Sequence, residues 1–117
     1  MARLSTHVLD TSRGTPAAGL TVELHALRGT ERTLVAAAVT NSDGRTDGPL
    51  IGGDRIEPGI YELTFQAGAY FQHTGVPVTD PPFLDVVVIR FGLSDPRGQY
   101  HVPLLLSPYG YTTYRGS

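Results

Sequence analysis

Apolar and polar residues alternate one by one along much of this chain, the period of a strand with one face buried. From Leu4 to Leu9, Leu4, Thr6 and Val8 fall on one side and Ser5, His7 and Leu9 on the other, before the turn-rich Asp10–Pro16. Leu20 to Leu27 places Leu20, Val22, Leu24 and Ala26 one way and Glu23 and His25 the other, which predicts an outward, polar-side His25. Arg28–Glu31 separates it from Thr33–Thr40, a run of small and β-branched residues. Asn41-Ser42-Asp43-Gly44 is a turn signal, because Asn, Asp and Gly tolerate positive φ, and Arg45 follows it directly. A loop through Gly48-Pro49 and Gly52-Gly53 then leads to the alternating run Gly59–Gln66.

Ala67–Thr74 is the one segment that reads as a helix, a short one, with Gly75 suited to end it. Phe83–Phe91, after Pro81-Pro82, is apolar on both faces of a strand. A sandwich strand normally shows water on one side, so the second face is expected to meet another subunit. The last hairpin begins at Gln99 or Tyr100 and turns at Pro108-Tyr109-Gly110. Pro103 lacks a ladder donor, which predicts an edge or a bulge there. The final stretch is rich in Leu, Tyr and Thr, and reads as tied down within the structure. About eight strands and one short helix, with no repeat and no linker, predict an all-β, two-sheet sandwich forming a single domain over 1–117.

Composition narrows the function. The 117 residues suffice for one core, and the absence of cysteine excludes disulfides and thiolate metal sites. A net charge of −2 with 17% charged residues and no basic block argues against nucleic acid. Met1–His7 turns polar where a signal peptide needs an apolar stretch, and no run approaches a membrane span, so the cytoplasm is the expected location.

Three groups stand out by position: His7 in the first strand, Arg45 after the turn, and His101 at the start of the last hairpin. If the first strand pairs with that hairpin, His7 comes near His101. Histidine moves protons both ways near neutral pH, and an arginine between two of them would polarise a carbonyl and push an imidazole toward its neutral, basic form. Such a set can activate water with neither a nucleophile nor a metal. A three-histidine zinc site is the competing reading, weakened by the lack of any His-x-His or His-x3-His pair. No Gly-x-Ser-x-Gly elbow and no phosphate loop occur. Taken singly, each histidine in a strand is by default structural, Arg45 a solvated charge, and Tyr114 a cross-strand packing residue.

Leu4-Ser5-Thr6-His7-Val8-Leu9-Asp10, Thr40–Thr46 and the ending Tyr100–Ser117 resemble the 5-hydroxyisourate hydrolase family, the transthyretin-related enzymes of urate breakdown. The resemblance is collinear over essentially the whole chain. Its most specific part, Tyr114-Arg115-Gly116-Ser117, separates the hydrolases from the thyroid-hormone carriers of the same fold. It implies a transthyretin-like (prealbumin-like) sandwich, a homotetramer with active sites where two dimers meet, and hydrolytic ring opening of 5-hydroxyisourate without metal or cofactor. It implies His7, Arg45, His101 and Ser117 as catalytic, and Tyr114 as a substrate contact beside His7 and Arg45. One position departs: Gln99 stands where many relatives carry a further histidine, with the same strand parity as His101. Two other readings stay open, a carrier of an aromatic ligand and a plain adhesive sandwich. A carrier channel for an apolar ligand has little use for two imidazoles and an arginine.

Overall fold

The computed structural model describes residues 1–116. Its strands are β1 (Ala2–Asp10), β2 (Thr15–Pro16), β3 (Thr21–Arg28), β4 (Glu31–Val39), β5 (Ile51–Gly53), β6 (Gly59–Phe65), β7 (Val87–Leu93), β8 (Gln99–Ser107) and β9 (Gly110–Thr113). Helix α1 (Ala67–Thr74) lies between β6 and β7 and ends at Gly75 with φ 83°, as the sequence predicts. One sheet runs β2-β1-β8-β9 with β5 also on β1, and the other runs β4-β3-β6-β7. β2 and β5, of two and three residues, are too short to show a period in the sequence.

The alternation in β1 is realised: Ala2, Leu4, Thr6, Val8 and Asp10 are buried. They face Val22, Leu24, Leu63 and Phe65 of the opposite sheet across a single core that also holds Leu104 and Leu106. Each such large side chain contributes about 1.5–3 kcal/mol by burial. Asp10, fully enclosed, accepts hydrogen bonds from Tyr70 at 2.8 Å and from the Ser12 hydroxyl at 2.6 Å, which ties α1 to the end of β1. Burial and the adjacent Asp10 carboxylate push the Tyr70 phenol up to about 12.

Three local expectations are corrected. The strand foreseen over Phe83–Phe91 is β7 at Val87–Leu93, because the backbone at Leu84 and Asp85 lies against the helix at Gly68, whose N–H donates to the Asp85 carbonyl at 2.8 Å. Pro103 sits in β8 between β1 and β9, not on an edge strand. The β8–β9 pairing stops at Leu104–Thr113, and the carbonyl of Pro103 faces that side, where it accepts from the Thr113 hydroxyl at 2.8 Å. Its missing N–H therefore falls where the β9 ladder has ended, and the pairing with β1 loses nothing.

His25 does not face water. It is buried, with Glu62 as its register partner on β6 and Leu34 on β4. Glu62 binds Arg90 at 2.8 Å and Arg32 at 3.4 Å, so the middle of this outer face is closed over by an ion-paired cluster. Strand parity predicts outward direction but is blind to such a cover.

Candidate active site

β1 and β8 run parallel, with Ser5 beside His101 and His7 beside Pro103. Residues 96 positions apart in the chain thus become lateral neighbours, and Arg3, Ser5 and His7 share the outer face of the sheet with Gln99 and His101. The inner face of the same strands is fully engaged in the core, so the pair is held in register.

The turn 41–45 delivers the guanidinium. Asn41 accepts from the backbone N–H of Asp43 at 2.9 Å and of Arg45 at 3.2 Å, and its own N–H donates to the Arg45 carbonyl at 2.8 Å. The turn is fastened to β1 by the Val8 N–H donating to the Gly44 carbonyl at 2.8 Å, and Arg45 forms an antiparallel bridge with His7. Gly44 has φ 75° and a Cβ there would strike the Val8 carbonyl, so both its conformation and its closeness require glycine.

His101 is held on two sides. Its Nδ1 lies 2.8 Å from the Ser5 hydroxyl. Its carbonyl accepts the Gly116 N–H at 2.8 Å, and the ring rests on that glycine. Arg115 stacks over the Tyr100 ring, 4.5 Å from its centroid, which helps to keep residues 114–116 against β8. Burial, then the positive charges of Arg45, His7 and Arg3, hold the His101 imidazole below its ordinary value, opposed by a backbone hydrogen bond with Ser5. The ring is therefore biased toward the neutral form.

Arg3, Ser5, Arg45, Gln99, Tyr100 and His101 line an open depression of about 360 Å³. No carboxylate lines it among the described residues, so it is a cationic hollow suited to an anion or to charge developing on oxygen. His7 lies on the same face, half-buried and one position along from the lining residues. Tyr114 is exposed and lines a different hollow, a groove between β7 and β8 with Phe91 and Val102. Ser117 lies outside the described residues. His73 is exposed on α1, away from this set. Arg3, Ser5 and Gly116 are the residues that sequence reasoning did not single out. Arg3 and Ser5 had a signal, since they stand four and two positions before His7 on the same strand face; Gly116 had none beyond its motif. Among the described residues no three His, Cys, Asp or Glu side chains cluster closely enough to hold a metal ion.

The profile of the HIUase/Transthyretin family matches residues 4–116. This chain belongs to that family. It is 57% identical over 115 residues to 5-hydroxyisourate hydrolase 2 of Rhizobium meliloti (strain 1021), an alignment covering 98% of this chain and 96% of the relative. Among solved structures it is similar to transthyretin from Sparus aurata, with a TM-score of 0.85, 29% identity and coverage of 97% and 96% of the two chains. It is also similar to (S)-allantoin synthase, with a TM-score of 0.92 and 46% identity; there 99% of this chain corresponds to 44% of that longer one. Family membership gives the paired sheets and short helix their setting: a transthyretin-like sandwich whose β1–β8 face carries His101, Arg45 and His7. No helix among the described residues is long and apolar enough to cross a membrane.

Proposed function

We propose that this protein is a 5-hydroxyisourate hydrolase, which opens the six-membered ring of its substrate in urate breakdown. The observation that carries the reading is the convergence of a neutral-biased His101, the Arg45 guanidinium and His7 on one face of the β1–β8 pair. The relatedness to the Rhizobium meliloti hydrolase over nearly the whole of both chains supports it.

In this mechanism His101 takes a proton from water as the water oxygen bonds to the ring carbonyl carbon. Arg45 opposes the negative charge that develops on the carbonyl oxygen. The C–N bond then breaks, His7 supplies the proton that the departing ring nitrogen needs, and a carboxylate remains, the 2-oxo-4-hydroxy-4-carboxy-5-ureidoimidazoline. Tyr114 and Ser117 serve to orient the ring, with Tyr114 acting across a contact between subunits. The working form is a homotetramer in the cytoplasm, with residues 1–117 forming one hydrolase domain and sites where two dimers meet. The free edges of β7 and β9, which flank one groove, support self-association on that side.

The test is to generate 5-hydroxyisourate with uricase and follow its ultraviolet decay. Acceleration over the spontaneous rate is expected, with losses of about a hundredfold in each of His7→Ala, Arg45→Ala and His101→Ala. No acceleration by the unaltered protein overturns the proposal, and tight ligand binding without turnover would make it a carrier.

A further inference from the structure

We infer that Ser5 is a positioning residue for His101, engaging Nδ1 so that Nε2 is the ring nitrogen presented to the reacting atoms. The inference rests on the hydrolase reading and names a residue that reading does not use. Three sides of the imidazole can be traced. Nδ1 meets the Ser5 hydroxyl at 2.8 Å. The Cδ2 side is closed by Gly116, where an added Cβ would stand 2.7 Å away. What is left is the edge carrying Nε2, and His101 borders the open depression.

Chemistry explains why a hydroxyl suits this place. The charged and titratable groups acting on the ring are Arg45, His7 and Arg3, all basic. A carboxylate beside Nδ1 would favour the imidazolium and draw the guanidiniums away from substrate. A hydroxyl carries no charge, and it can accept from Nδ1–H both before and after Nε2 takes a proton. The ring keeps one orientation through the cycle, at no electrostatic cost to its basicity. Register does the placing: in the parallel β1–β8 pair, position 5 is the direct neighbour of position 101.

The experiment compares Ser5→Ala, Ser5→Thr and the unaltered protein by steady-state kinetics across pH and by nitrogen-15 spectra of the His101 ring. Ser5→Ala is expected to lower kcat about tenfold to a hundredfold with little change in KM, as misorientation of a reacting group does. It should also move the acid inflection of the pH profile and alter the balance of Nδ1–H and Nε2–H signals. Ser5→Thr, which keeps the hydroxyl, should restore most of the rate and the original ring signals. A Ser5→Ala protein with unaltered rate, profile and ring spectrum overturns the positioning role and leaves the hydrolase reading standing. An inactive unaltered protein overturns the hydrolase reading itself, and the ring spectra still report whether Ser5 governs the imidazole. If Ser5→Ala loses its fold, Ser5→Thr and Ser5→Cys carry the comparison, and a cysteine variant with the serine protein's spectrum and rate counts against the hydroxyl.

Discussion

The backbone N–H of Gly116 donates to the His101 carbonyl at 2.8 Å, and the same glycine leaves only enough room for the imidazole above it. A Cβ at this position would lie 2.7 Å from Cδ2 and 3.3 Å from Cγ. The requirement for glycine here is one of contact, so Gly116→Ala must displace either the ring or the strap. We expect kcat/KM to fall about tenfold or more. The melting temperature should stay within about 4 °C, as for a change outside the core. An alanine variant with full activity would show that the ring does not depend on this floor.

His101 titrates below its ordinary range, through burial first and the charge of Arg45 second, with His7 and Arg3 adding to it. Arg45→Gln and Arg3→Gln should each raise its titration midpoint, the first more than the second, read from proton resonances of the ring. The stability consequence has a definite sign. With the folded value below the unfolded one, the unfolded chain binds more protons at mildly acid pH. Stability is therefore complete above about 6.5 and declines as pH falls from there through the folded value. Thermal melts of wild type and His101→Gln across that window should diverge at its acid end.

Glu62 provides a control on the other sheet. Its hydrogen bond with Arg90 lowers its carboxyl pKa, burial opposes that, and Arg32 adds to the lowering. Glu62→Gln should cost about 1–2 kcal/mol at neutral pH in chemical denaturation and leave hydrolysis unchanged. The Glu62 contribution is present above the unfolded carboxylate range and fades as pH falls through the lower folded value. The difference between the two proteins should thus shrink below about pH 4.5.

His25 is buried with its Nδ1 unpartnered among the described residues. His25→Leu removes the orphaned polar atom at similar volume and should leave the melting temperature unchanged or raised. His25→Ala opens a void and should lower stability by about 1–3 kcal/mol. Hydrolysis should survive both. A large loss of activity in His25→Leu would mean that the ionic face of this sheet communicates with the β1–β8 face.

Strand alternation was readable wherever one face meets the core and the other meets water, as in β1, and the helix was readable through its Gly75 end. Reading failed where that contrast is absent. His25 has outward parity yet lies beneath a cover assembled from Arg32, Glu62 and Arg90 on neighbouring strands. Pro103 signals an edge, and the structure meets that demand by ending one ladder beside it. Of the candidate site, the residue types and the motif around His7, Arg45 and His101 were visible. The support that Ser5 and Gly116 give His101 was not.

The sequence by itself determined the two-sheet class, the turn that carries Arg45 and the identity of the polar groups, because these depend on local periodicity and backbone preference. Only the tertiary structure decided that β1 and β8 run parallel with Ser5 against His101, and that Gly116 closes the ring's other side. Such register follows from packing both strands onto one shared core. A contact across 96 residues has no local signature, since its energy exists only once the chain between has folded.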